Sequence, residues 1–140
     1  MPKRTCKSAR PMNLTSFIMH RKNPGEAVAR ARFCSYRRWA KIRKVPFKLT
    51  FEQFKTIVAK PCCYCGRPPE PVSMPKRHGS FICNGIDRVK NQLGYTMRNS
   101  APCCRWCNQA KSNFTLEEFL EHIKRIWAHS ASKSEISSLG

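Results

Sequence analysis

Residues 62–66 read CCYCG, residues 84–99 read NGIDRVKNQLGYTMRN, and residues 103–113 read CCRWCNQAKSN. Cys62/Cys65 and Cys104/Cys107 form two CxxC knuckles, and Asp87 and Arg88 lie between them. Each knuckle offers two sulfurs about 3.7 Å apart across Zn–S bonds of ~2.3 Å, so four thiolates at this spacing suit one tetrahedral Zn²⁺. The chain holds nine cysteines. That count is odd, and the doublets Cys62-Cys63 and Cys103-Cys104 are poorly placed for disulfides. Paired knuckles in a basic chain point to metal and a reducing, intracellular compartment: cytoplasm or nucleoid, with an organelle also open. Cys6, Cys34, Cys63, Cys83 and Cys103 are expected to be free thiols.

Working outward from the knuckles, the segment between them divides into a loop and a hairpin. Residues 66–80 contain four prolines and two glycines and are expected to be loop. Residues 81–97 carry extended segments around a turn near Asn91–Gly94 and predict a β-hairpin. After the second knuckle a helix is expected from Arg105, broken at Asn113-Phe114. Thr115 then caps a last helix, with Glu118 at the capping-box position. Leu116, Phe119, Leu120, Ile123, Ile126 and Trp127 form its apolar face, while His122 and His129 are expected at the surface. Residues 130–140 are Ser-rich and read as a disordered tail.

Upstream of the first knuckle, Thr50 caps a helix with Gln53 as its capping-box partner, and Phe51, Phe54, Ile57 and Val58 make a core stripe. Residues 26–44 predict a helix that Pro46 terminates. Arg37, Arg38 and Lys41 are its candidate phosphate contacts. Residues 1–25 hold basic residues among prolines and no acid before Glu26. This arm reads either as a disordered basic tail or as an organellar transit peptide. One domain over 26–129 with a flexible arm and tail accounts for the length.

The formal charge is +19, from 27 Lys+Arg against 8 Asp+Glu. Such an excess repels itself and favours a polyanion, with nucleic acid ahead of an anionic membrane. No apolar run approaches the ~20 residues of a membrane span.

The combination of CxYCG, GIDR, GYxxxN and CCxxCNxxKS resembles the zinc-stabilised HNH endonucleases, also called His-Me finger or ββα-metal nucleases. The resemblance runs from about Trp39 to Trp127. It implies an α+β fold: a small ββα-metal (HNH) core with a four-cysteine structural zinc, flanked by helices. It also implies residue roles. Asp87 matches the metal-binding carboxylate and Asn108 the position completing a Mg²⁺ or Mn²⁺ site. A carboxylate and an amide oxygen are hard donors, as such a cation requires. Asn99 matches the asparagine that braces the loop between hairpin and helix. Cys62, Cys65, Cys104 and Cys107 match the zinc ligands, and Lys111 matches a basic residue near the substrate phosphate.

One position departs from the pattern. Most members carry a general-base His after the metal Asp, and here the residue is Arg88, which stays protonated. Rare-cutting restriction enzymes of this class with Asp-Arg use a tyrosine base, and Tyr64 is the matching candidate, provided Arg88 and the metal lower its pKa. His78 and Tyr95 are weaker candidates.

The resemblance implies metal-dependent hydrolysis of DNA, favoured over RNA, and is compatible with a homodimer for double-strand breaks. Asp87→Ala is expected to abolish cleavage and keep the fold. The rival expectation is an inactive HNH-derived domain that binds nucleic acid structurally, for example RNA in an organellar ribosome. A zinc-finger transcription regulator is a weaker third, because no helix presents an evident set of base-reading side chains.

Overall fold

In the computed structural model, which describes residues 24–137, four helices and four short strands follow in the order α1 (Pro24–Ile42), α2 (Phe51–Val58), β1 (Glu70–Val72), β2 (Phe81–Cys83), β3 (Gly85–Arg88), β4 (Ser100–Cys103), α3 (Arg105–Lys111) and α4 (Leu116–Ser137). The predicted arm falls almost wholly outside these residues. The architecture is α+β: β1/β2 and β3/β4 are two separate antiparallel pairs, with helices packed around them.

α1 ends at Ile42, and the chain turns at Lys44 with φ 56° before Pro46. Proline soon after a helix end is expected, since it cannot continue the helix. α2 begins at the predicted capping box. The Thr50 hydroxyl accepts from Gln53 N at 3.2 Å, and Gln53 Oε1 accepts from Thr50 N at 2.9 Å. Phe54, Ile57 and Val58 on α2 are buried against Ala40, Leu49, Cys83, Ile86 and Tyr95. Phe33 of α1 meets Phe47 and Phe51 edge-on at 5.4 Å, which binds the two helices through one aromatic cluster.

The prolines of 66–80 do not prevent pairing. Glu70–Val72 forms β1 against β2, because a two-stranded sheet has only edges, where proline is tolerated. The predicted hairpin is present but shifted. β3 pairs not with residues 95–97 but with Ser100–Cys103, Asp87 standing opposite Ala101. Tyr95 instead makes an isolated parallel bridge with Phe47. Its N–H donates to Pro46 O at 2.8 Å, and its carbonyl accepts from Lys48 N at 2.9 Å. α4 starts at the predicted box, Glu118 Oε2 accepting from Thr115 N at 2.8 Å. It does not stop at 130 but continues through the Ser-rich segment to Ser137. No helix among the described residues is long and apolar enough to cross a membrane.

Gly94 lies so close to the 46–48 segment that a Cβ there would stand 2.1 Å from Pro46 O. Backbone is the obstacle, so no side-chain rotation relieves it. Gly94→Ala is expected to cost about 2 kcal/mol or more, read as a lowered melting midpoint. An unchanged midpoint would show that the 46–48/94–95 bridge does not hold the domain.

Candidate metal centre and phosphate cleft

The two knuckles come together. The Sγ atoms of Cys62, Cys65, Cys104 and Cys107 all lie within 4.8 Å of one another, and Cys65 and Cys104 are 3.6 Å apart. That separation is the edge expected for thiolates on a tetrahedral Zn²⁺. Local structure sets each knuckle. Cys63 N donates to Pro102 O at 2.9 Å, tying the first knuckle to β4. Cys104 is the N-cap of α3 and accepts from Cys107 N at 3.5 Å. Burial raises the Cys62 thiol, but hydrogen bonds from the backbone of Cys104, Cys65 and Tyr64 outweigh it and bring the group down to about 6. Burial and the neighbouring thiols push Cys107 the other way. Cys34, Cys63, Cys83 and Cys103 lie outside the cluster and form no disulfide. Cys6 is outside the described residues.

β3 delivers Asp87 beside this cluster. Its carboxylate is 5% exposed and fully engaged. Tyr64, inside the first knuckle, donates its hydroxyl to Asp87 Oδ2 at 2.6 Å. Lys111, in the last turn of α3, places its ammonium 3.2 Å from Oδ2 and 3.3 Å from Oδ1. Lys111 is 0% exposed. The reading of Lys111 as a phosphate contact therefore does not match this geometry: its charge is spent on Asp87 and, at 3.5 Å, on the carbonyl of Arg88. The Tyr64 phenol is pushed up, first by burial and then by the hydrogen bond to Asp87, not lowered. Arg88 is turned toward the β3–β4 loop, where it donates to Asn91 O at 2.7 Å and Leu93 O at 3.3 Å and lies over the Tyr95 ring.

Asn99 is buried in that same loop. Its amide donates to Lys90 O at 3.1 Å and Gly94 O at 2.9 Å, and its Oδ1 accepts from Lys90 N at 2.9 Å. It clamps the connection between the two hairpin strands and is not among the residues that line the cleft.

Asp87 and Asn108 both face a cleft of about 660 Å³ between α1, the hairpin and α3. Asn108 is exposed and its side-chain amide makes no hydrogen bond among the described residues. The hard-oxygen pair fits a divalent cation in donor chemistry, with Lys111 as the resident cation that shares Asp87. The candidate phosphate contacts read from the sequence do not lie on the face of α1 that turns to this cleft. Arg32, Tyr36, Trp39 and Arg43 line it, whereas Arg37, Arg38 and Lys41 are exposed and lie about 120–180° around the helix from that face. Arg32 keeps its Nε buried and without a partner. The spacing Arg32-x3-Tyr36-x6-Arg43, one stripe at helical period, marks the face of α1 that lines the cleft. Asn84 was also missed. It is buried, and its amide donates to Lys60 O at 2.9 Å and Arg67 O at 3.2 Å, fixing the end of α2 to the first knuckle. Tyr36 reaches across to accept from Ile86 N at 2.9 Å, which sets β3 against α1. His78 is exposed in the β1–β2 loop and Tyr95 lines the cleft, while His122 and His129 are exposed on α4.

No family model matches the sequence. An uncharacterized protein of Acanthamoeba polyphaga mimivirus is 33% identical over 87 residues, which are 62% of this chain and 15% of that protein. The chain thus spans a small part of that relative's length. The solved structure of PacI, a rare-cutting HNH restriction endonuclease described for its mechanism of DNA perturbation, is similar with a TM-score of 0.50. The likeness has 23% identity and covers 74% of this chain and 81% of that one. Fold and four-cysteine cluster together define an HNH-like zinc domain.

Two outcomes follow. Cys104→Ala, or a strong chelator, should abolish the cooperative melt along with zinc content, and zinc should be lost on acidification as protons compete for thiolates. Retention of a full melt without zinc would contradict this. Asp87→Ala leaves Lys111 buried without its counter-charge and should cost about 3–5 kcal/mol, so the expectation that it keeps the fold is revised. Asp87→Ala with Lys111→Met should recover much of that loss in the melting midpoint.

Proposed function

We propose that the chain is a metal-dependent HNH-type endonuclease that hydrolyses DNA phosphodiester bonds. The observation that carries this reading is one cleft that joins Asp87 and Asn108 with Arg32, Arg43 and Arg88 along its walls. Hard-oxygen donors beside guanidinium groups are what a scissile phosphate needs. Asp87 and Asn108 would hold Mg²⁺ or Mn²⁺, which when bound supplies neutralisation of charge on the phosphate and the leaving oxygen. Arg32 and Arg43 would orient the phosphate from α1 with their guanidinium groups. Lys111 would hold the Asp87 carboxylate in place from behind.

Tyr64 is the proposed base, being the hydroxyl that touches Asp87. A base must be deprotonated, and this phenol is raised by burial and by its hydrogen bond. Cleavage carried by Tyr64 should therefore climb with pH throughout the range below the ordinary tyrosine value of about 10. A limb that levels off well below the ordinary tyrosine value would instead take the proton transfer away from Tyr64.

A second reading has its own support. Lys111 and Tyr64 together occupy both oxygens of Asp87, as suits a domain that binds nucleic acid without cutting it, including RNA within a large assembly. The test is nicking of supercoiled plasmid by zinc-loaded protein with Mg²⁺ or Mn²⁺, beside EDTA and Asn108→Ala controls. Asn108→Ala is preferred to Asp87→Ala because the Asn108 amide holds nothing else together. Metal-dependent nicking that falls on the order of 100-fold in Asn108→Ala supports the nuclease. Folded protein that binds nucleic acid and never nicks, together with stoichiometric RNA on purification, supports the second reading.

A further inference from the structure

The cleft holds one large side chain that phosphate and metal chemistry does not use. From α1 it is lined by Arg32, Ser35, Tyr36, Trp39 and Arg43. Tyr36 is occupied by the hydrogen bond from Ile86 N and by ring contacts with Phe54 and Tyr95. Trp39 has no such duty. Its indole is 46% exposed. It belongs to neither buried cluster and stacks on no other ring among the described residues. Of the chain's three tryptophans, Trp106 and Trp127 are also exposed, but neither lines the cleft. A scattered surface aromatic is ordinary, whereas one held open inside a polar cleft is a recognition feature.

Its surroundings select the partner. Arg38 and Arg43 hold their guanidinium carbons 5.5 and 5.7 Å from the indole centroid. A flush contact brings atoms to about 4 Å, so neither arginine is centred on the ring. Arg43 stands one turn beyond Trp39, a rise of about 6 Å along the helix. At α3 and just after it, Gln109 and Asn113 line the cleft with exposed side-chain amides that hydrogen-bond to nothing among the described residues. Guanidinium groups bind phosphate, an open indole binds the face of a π-system, and free amides bind polar base edges. A nucleotide presents all three surfaces together. It must present its base open: in a duplex each base has neighbours on both faces, so an aromatic side chain reaches a base face only where the base is unpaired.

We propose that Trp39 is the stacking platform for one unpaired base, so that the cleft takes single-stranded nucleic acid at this position. The inference rests on the reading of the cleft as a nucleic-acid site and adds the state of the strand. It applies equally to a strand that is cut and to one that is only bound.

The test is fluorescence anisotropy of the full-length, zinc-loaded chain at one fixed salt concentration, without Mg²⁺ so that no strand is cut. The probes are a labelled oligo-dT of about 12 nucleotides, within the span of one single-strand site, the same sugar–phosphate strand lacking its bases, and the dA·dT duplex. The wild type should bind oligo-dT on the order of tenfold more tightly than the abasic strand. Trp39→Ala should remove that difference, weakening oligo-dT on the order of tenfold and leaving the abasic strand and the duplex unchanged. Trp39→Phe, which keeps an aromatic face, should retain most of the difference. A wild type that binds the oligo-dT and abasic strands equally, or binds neither, overturns the proposal. So does a Trp39→Ala protein of unchanged zinc content and melting midpoint that loses affinity for all three probes alike, which would assign the indole to the sugar–phosphate backbone. A Trp39→Phe protein as weak on oligo-dT as Trp39→Ala overturns it as well. Base-dependent binding in a protein that never nicks plasmid keeps this inference and removes the nuclease. Metal-dependent nicking by a wild type that binds both strands equally does the reverse.

Discussion

The joining of two knuckles 39 residues apart, Cys65 to Cys104, is the constraint on which the site depends. The domain has two buried clusters, and they differ in kind. One is ordinary: Phe54, Ile57, Val58, Ile86 and their neighbours between α1, α2 and the hairpin. The other consists of Cys62, Cys103 and Cys104, with Tyr64 and Cys107 packed against it. These are small side chains with little apolar surface to bury. Hydrophobic transfer at about 25 cal/mol per Å² cannot hold β4 and α3 to the first knuckle on that area. A Zn²⁺ held by the four thiolates would supply what the second cluster lacks, because its binding free energy would become folding free energy.

That cross-link has a chemical consequence through Asp87. Closing the knuckles brings Tyr64 and Lys111 onto the same Asp87 carboxylate, so the carboxylate that faces the cleft is also the counter-ion of a fully buried ammonium. Removing either charge exposes the other to a low-dielectric interior. Any loss of function in an Asp87 variant therefore mixes chemistry with stability. Asn108 sits across the same cleft with no such second duty, which makes it the cleaner probe of what the cleft does. The arrangement also bears on Tyr64. A phenol donating at 2.6 Å to a buried carboxylate is held firmly in position and held protonated at once.

What was legible in the sequence was local. The Thr50/Gln53 and Thr115/Glu118 boxes could be read because they connect residues three apart. The knuckles could be read because thiolate chemistry admits few partners at that spacing. Pairings across the chain were harder. A turn near Asn91–Gly94 suggested a return strand directly after it, yet Tyr95 serves the bridge to Phe47, and the return strand is Ser100–Cys103 with Pro102 inside it. Lysine is almost never fully buried without a partner, so nothing in the CNxxKS run announced that Lys111 would turn inward. On α1, counting positive charges picked out the helix but not the residues that line the cleft. Arg32 and Arg43 are fewer but share a stripe with Tyr36, whose hydroxyl fixes that stripe over β3.

The distribution of charge separates two surfaces on a small chain. The cleft gathers arginines from α1 and β3 around a single carboxylate. The outer part of α4 gathers carboxylates and cations in sequence order around an apolar stripe. A chain at +19 resists its own dimerisation at long range, most of all at low ionic strength, where the Debye length is about 30 Å at 0.01 M. Placing half of the acidic residues on α4 keeps them out of the cleft. It leaves the positive field concentrated over the cleft, where a polyanion would approach.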